Sequence, residues 1–248
     1  MSSSIGIVGG MGTYAGIDLL SKIADHTEAR NDQGHLPVIM ISEPEKILDR
    51  TEYLLGQIED NPGYAIAGIA KRLAEAGAGL IALPCNTAHV PEIVNIVMDS
   101  LPENCRIVNM IEETGHYCSD HDPPLARVGI LATNGTVQSG VYNHYFNKTG
   151  IELLYPHKDS QYNRVHPSIY DPEYGIKAQS NPVHERAVSN LYMVAEELIS
   201  KGAQALILGC TELPLALTED SISGTPLIDP GAVLARALVR AHRLMNSE

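Results

Sequence analysis

The strongest constraint on this chain is that its sequence repeats. AKRLAEAGAGLIALPCNT (70–87) lies on AEELISKGAQALILGCTE (195–212) without a gap, and Ala70/Ala195, Leu73/Leu198, Gly77/Gly202, Ala78/Ala203, Leu83/Leu208 and Cys85/Cys210 are identical. IGIVGGMGT (5–13) lies on VGILATNGT (128–136), where Gly6, Ile7, Gly12 and Thr13 recur. The two offsets nearly agree and are close to half the chain, the mark of a duplication, so both halves must fold on one frame. IGIVG and VGILA are short apolar runs ending at turn residues, as buried parallel strands do. AIAGIAKRLAEAG (65–77) has helical spacing and a closing glycine, GLIALPC is a strand again, and the same order recurs over 191–210. The expectation is an α/β fold of two pseudo-symmetric lobes, each a parallel sheet flanked by helices. TPLIDP (225–230) resembles RIVNM in the first half, and a final helix over 231–245 is placed to pack back on the first lobe. The first lobe is therefore assigned 1–117 plus 227–248 and the second 118–226, with CSDHDPPLA (118–126) as linker. The stretch 155–186 shows little periodicity and reads as a long functional loop or lid.

Ligands of parallel sheets bind beyond the carboxyl ends of the strands. Cys85 and Cys210 both sit at such an end. A lone buried cysteine is ordinarily a small hydrophobe, but pseudo-twofold symmetry would make these two face each other across an interlobe cleft. One acid/base group on each side of a flat intermediate suits inversion of a stereocentre. A free thiol has a pKa of about 8.5, so holding it as thiolate near neutrality costs roughly 2 kcal/mol. Helix N-termini following each cysteine, with Asn86, Thr87 and Thr211 as capping side chains, would offset that cost. Their backbone N–H groups would equally hold a carboxylate.

Composition removes several function classes. The formal net charge is −13 and the aromatics are eleven Tyr, one Phe and no Trp, which argues against nucleic-acid binding by phosphate contacts or by stacking. No apolar run approaches a membrane span, and MSSSIGIVGGMG lacks the basic and apolar regions of a signal peptide. Cys85, Cys105, Cys118 and Cys210 form no CxxC pair and read as reduced thiols of a cytoplasmic protein, with Cys105 and Cys118 inert. Gly10-Met11-Gly12-Thr13-Tyr14-Ala15 fits a dinucleotide fingerprint, yet its repeat TNGT keeps one glycine, so no nicotinamide cofactor is expected. His89 reads as structural, and Glu212 as a buried structural carboxylate, a helix-start charge or a group that tunes its neighbours.

PCNTAH, GCTEL and IGIVGGMGT together resemble the aspartate/glutamate racemase superfamily, which uses no pyridoxal phosphate, and are most similar to its aspartate racemase branch. The resemblance spans nearly the whole chain. It implies two α/β lobes, no metal or cofactor, a small amino-acid substrate, and commonly a homodimer. It makes Cys85 and Cys210 the opposing acid/base pair, gives Asn86, Thr87 and Thr211 the α-carboxylate, and sets Met11, Thr133 and Thr136 around the substrate. LDRTEYLLG (48–56) nominates Arg50 for the side-chain carboxylate, and IYDPEYGIKAQ (169–179) nominates Lys177. In a chain of charge −13, a dicarboxylate needs such cations. Glutamate racemases carry Asp-Ser after the first strand and histidine after the second Cys-Thr. Gly10-Met11 and Glu212 stand there instead, which points to aspartate. The alternatives are a broad-specificity or glutamate racemase, a related decarboxylase or isomerase, a cysteine hydrolase, or a non-catalytic bilobal protein that binds small acids.

Overall fold

The computed structural model describes residues 3–245. The first unit holds the chain up to Glu113 together with the segment from Gly231 onward. Its strands β1 (Ser4–Gly9), β2 (Val38–Ser42), β3 (Ala78–Ala82) and β4 (Arg106–Val108) form an all-parallel sheet of order β2-β1-β3-β4. Helices α1 (Thr13–Asp25), α2 (Arg50–Leu54), α3 (Gly63–Glu75) and α4 (Pro91–Ser100) alternate with these strands, and α5 (Met110–Ser119) follows β4. Alternation along the strands feeds two cores. Val8 and Ile81 meet Ile66, Ala70 and Leu73 of α3 on one face. Ile5, Ile7, Leu80 and Ala82 meet Leu19 and Ile23 of α1 on the other. Each such leucine or isoleucine, fully buried, contributes about 1.5–3 kcal/mol.

The second unit, Thr114–Pro230, repeats the frame. Strands β5 (Arg127–Ala132), β6 (Glu152–Leu154), β7 (Ala205–Gly209) and β9 (Thr225–Ile228) run in the order β6-β5-β7-β9, with β8 (Ser221–Ile222) added antiparallel at the edge. Under the repeat β1, β2, β3 and β4 become β5, β6, β7 and β9, so the duplication read from two short segments extends to the whole strand order. Helices α6 (Asn134–Ser139), α7 (Val141–Phe146), α8 (Lys158–Ser160), α9 (His166–Tyr170) and α10 (Glu185–Ser200) complete the unit, and α11 (Pro230–Met245) ends the described chain. Leu191, Val194, Ala195 and Leu198 of α10 cover Leu131, Leu206 and Leu208. The helix after the last parallel strand changes unit in both halves. From Thr114 on, α5 belongs to the second unit, whereas Leu234, Ala235 and Leu238 of α11 join the core of Ile5, Ile7 and Leu80 in the first.

Two sequence expectations need correction. The division falls within α5 and after Pro230, not at 117 and 226, because Leu227 and Ile228 pair with Leu206 and Ile207 and so tie β9 to the second sheet. The stretch 118–126 is accordingly the end of α5 and a loop inside the second unit rather than a joint, with Leu125 N–H bonded to the Cys118 carbonyl. The supposed lid 155–186 is also partly helical. A π-turn, Gln161–Val165, joins α8 to α9 and buries Gln161 and Val165, and α9 buries Ile169. The wider turn rotates the buried face and Pro167 follows directly, so no regular helical period is visible in the sequence.

No helix among the described residues is long and apolar enough to cross a membrane.

Candidate active site

In the first unit the neighbouring strands β1 and β3 end side by side, and their loops carry the nominated residues. Met11 is fully buried beyond β1. Asp49 caps α2 by accepting from the backbone N–H groups of Thr51 and Glu52, which fixes Arg50 as the first helical residue. The buried Arg50 donates from Nη2 to the Met11 carbonyl at 3.3 Å and from Nη1 to that of Leu48 at 3.1 Å. Helix α2 also packs on the single 3-10 turn Asn86–His89 that follows Cys85. Met11, Arg50, Cys85, Asn86 and Thr87 are therefore gathered at one end of one sheet. Cys85 Sγ lies 3.2 Å from Thr87 Oγ1. His89 is wholly buried, and its Nε2 donates to the Leu83 carbonyl at 3.0 Å, tying the turn to the strand that delivers Cys85. Burial lowers this imidazole to about pKa 4, so it is neutral, as the structural reading of His89 requires.

The second unit presents the matching corner. Beyond β5, Thr133 caps α6 by accepting the Thr136 N–H at 3.2 Å, and both threonines are buried. Gln161, on the π-turn, donates from Nε2 to the Ala132 carbonyl and to Asn134 Oδ1, each at 2.9 Å, bracing the same loop. Cys210 lies just beyond β7, and its thiol donates to Glu212 Oε2 at 2.9 Å. Glu212 Oε1 accepts from Lys177 Nζ at 3.1 Å, and Thr211 Oγ1 lies 3.5 Å from Oε2. Lys177 Nζ also stands 5.1 Å from the centroid of the Tyr170 ring. Burial pushes the Cys210 thiol well above its ordinary value, the adjacent carboxylate pushes it the same way, and the Lys177 ammonium opposes them.

The helix N-termini expected beside the cysteines are absent. Each thiol is followed by a 3-10 turn, Asn86–His89 or Leu213–Leu215, too short to carry a macrodipole. In the first unit Pro91 restarts the helix as α4 instead of letting it run from Asn86. Gln161 and Asn134 were not named from the sequence, and Glu212 was named with three readings left open. For Glu212 a signal existed, because the repeat sets it opposite Thr87, two residues after the matched cysteine. Gln161 and Asn134 carry no motif. Among the described residues no group of three or more His, Cys, Asp or Glu side chains is arranged to hold a metal ion.

A buried thiol with an oxygen partner thus stands at the carboxyl end of a matched strand in each half. The family model for Asp/Glu/hydantoin racemases matches residues 8–238. The chain belongs to the Asp/Glu/hydantoin racemase family. This racemase is 30% identical to the broad-specificity amino-acid racemase RacX of Bacillus subtilis over 98% of this chain and 100% of that protein. It is 27% identical to a glutamate racemase of Levilactobacillus brevis over 69% of this chain, covering 59% of that enzyme. Among solved structures it is similar to Picrophilus torridus aspartate racemase, with a TM-score of 0.78 and 27% identity over 97% of this chain and 94% of the other. The chain is thus an amino-acid racemase, an isomerase, of this superfamily.

Proposed function

We propose that this racemase interconverts L- and D-aspartate by a two-base reaction in which Cys85 and Cys210 act on opposite faces of Cα, with neither metal nor cofactor. The observation that carries the reading is the matched placement of the two thiols. Each is buried at the end of the same strand of a duplicated frame, and each has a polar oxygen two residues later within reach of its sulfur. One thiolate removes the Cα proton, the electron pair delocalises into the α-carboxylate, and the opposite thiol returns a proton to the far face. Backbone N–H and hydroxyl groups of Asn86, Thr87 and Thr211 would hold the carboxylate on which that charge develops. Met11, Thr133 and Thr136 complete the pocket in this reading. Arg50 reads the side-chain carboxylate with Lys177, whose ammonium carries three donors and bonds Glu212 through one of them. A binding protein for small acids would have no use for paired thiols.

The second reading is a broad-specificity racemase, favoured by the likeness to the Bacillus subtilis enzyme over the full chain. The free thiols fit a reducing cytoplasm, and the family resemblance favours a homodimer.

Incubation with L-aspartate or L-alanine in deuterated water, following optical rotation and loss of the Cα proton, tests the reaction and its specificity together. Aspartate should racemise after dialysis against chelator and carbonyl reagent, and Arg50→Leu should weaken aspartate by about 2–5 kcal/mol while sparing alanine. Activity restored only by a metal or pyridoxal phosphate would refute the mechanism. Equal losses for both amino acids would remove Arg50 from substrate reading.

A further inference from the structure

The two corners are matched in backbone and sulfur but not in the partner of the sulfur. Cys85 and Cys210 occupy one repeat position, and two residues later stand Thr87 and Glu212. A hydroxyl donates as well as accepts, so Thr87 Oγ1, 3.2 Å from Cys85 Sγ, can stabilise a thiolate. An ionised carboxylate only accepts, so the 2.9 Å contact between Cys210 Sγ and Glu212 Oε2 requires a proton between them. A carboxyl group is the stronger acid by several pH units, and the Lys177 ammonium 3.1 Å from Oε1 favours its ionised form, so that proton resides on sulfur. Removing it would leave two like charges side by side where both residues are buried. The Tyr142 phenol, fully buried and held neutral by that burial, is also electrostatically coupled to Cys210.

We infer that Glu212, clamped by Lys177, is a positioning residue that keeps Cys210 as the protonated thiol in the free enzyme, so that the first proton abstraction falls to Cys85. The inference rests on the two-thiol reading above and adds a direction to it. Substrate is first met by a base in the first unit and an acid in the second. After a turnover the charge sits on Cys210 beside Glu212 and the abstracted proton on Cys85, so proton uptake at Cys210 together with proton release from Cys85 resets the enzyme.

Alkylation of the intact enzyme with iodoacetamide, without substrate, reads this directly when each cysteine is followed by mass spectrometry across pH. The two sulfurs belong to residues of similar exposure, 5% for Cys85 and 7% for Cys210, so the pH midpoints report charge state more than access. In the wild type, Cys85 should react with the lower midpoint. Glu212→Gln should lower the Cys210 midpoint by about one unit or more, roughly ten-fold in thiolate below it, and leave that of Cys85 in place. A lower wild-type midpoint for Cys210 than for Cys85 would overturn the inference without any variant. So would an unmoved Cys210 midpoint in Glu212→Gln. Parallel racemisation assays over a panel of amino acids, aspartate and alanine included, separate the two claims. Racemisation with an unmoved midpoint defeats the role of Glu212 alone, whereas shifted midpoints without racemisation of any amino acid defeat the two-thiol function.

Discussion

At the scale of single residues, the same side chain serves opposite ends according to its surroundings. Burial raises the Cys105 thiol, and pushes Cys118 up to about 12, so both remain protonated hydrophobes. His89 shows the complementary effect. Its folded pKa of about 4 lies below the ordinary 6.5, so between those values the unfolded chain binds more protons than the folded one. The stability contributed by the neutral, buried ring is complete above pH 6.5 and declines as pH falls towards 4, by on the order of 3 kcal/mol across the window. Urea midpoints measured at several pH values should fall over that range in the wild type. In His89→Gln, which keeps a donor for the Leu83 carbonyl but cannot titrate, the slope should flatten by about one proton. Parallel slopes would show that His89 does not titrate with folding.

At the scale of elements, the duplication preserves a contact as well as a sequence. Gly6 on β1 lies under Leu73 of α3, and its counterpart Gly129 on β5 lies under Leu198 of α10. A Cβ at Gly6 would come within 2.9 Å of Ala78 Cβ and 3.1 Å of Leu73 Cβ, neither of which can swing aside. A Cβ at Gly129 would meet Leu206 Cδ2 at 2.7 Å, the end of a flexible chain, besides Leu198 Cβ at 3.1 Å. Gly6→Ala should therefore destabilise by about 1–3 kcal/mol, and Gly129→Ala by less. Urea unfolding checks the order, and the reverse order would mean that the first-unit helix shifts freely on its sheet. These repeated elements were legible in the sequence because strands buried on both faces read as short apolar runs and burial imposes a period of 3.6 on a helix. The helical run 158–170 was not, because the π-turn at 161–165 breaks the period that such reading depends on. The turns after the cysteines misled for another reason. Asn86, Thr87 and Thr211 are good capping types, but composition does not reveal that the helix stops after one turn. The cysteines themselves were legible through the repeat. The hydrogen bonds of Glu212 and Gln161 were not, since partners far apart in sequence, Lys177 and Ala132, decide them.

At the scale of the whole molecule, one frame used twice explains why a single chain delivers two equivalent thiols. The strand orders match, the helix after the last parallel strand changes unit in both halves, and the cysteines end matched strands. The halves differ at Thr87 and Glu212, the oxygen partners of the two sulfurs, and the inferred protonated state of Cys210 rests on that difference. A net charge of −13 makes local cations a requirement for any acidic substrate, the role proposed for the buried Arg50. The central claim is that the thiols serve opposite faces of one substrate, and single cysteine variants with an aspartate analogue bearing a halide at Cβ test it most directly. Racemisation needs both groups, so Cys85→Ser and Cys210→Ser should each nearly abolish it, a serine hydroxyl being far too weak a base. Elimination needs only one, since the base takes the Cα proton, the electron pair forms the Cα–Cβ double bond and the halide departs. Each single variant should therefore still eliminate halide from one enantiomer of the analogue, the two variants should prefer opposite enantiomers, and the double variant should do neither reaction. Substantial racemisation by either single variant, or the same enantiomer preferred by both, would contradict the account.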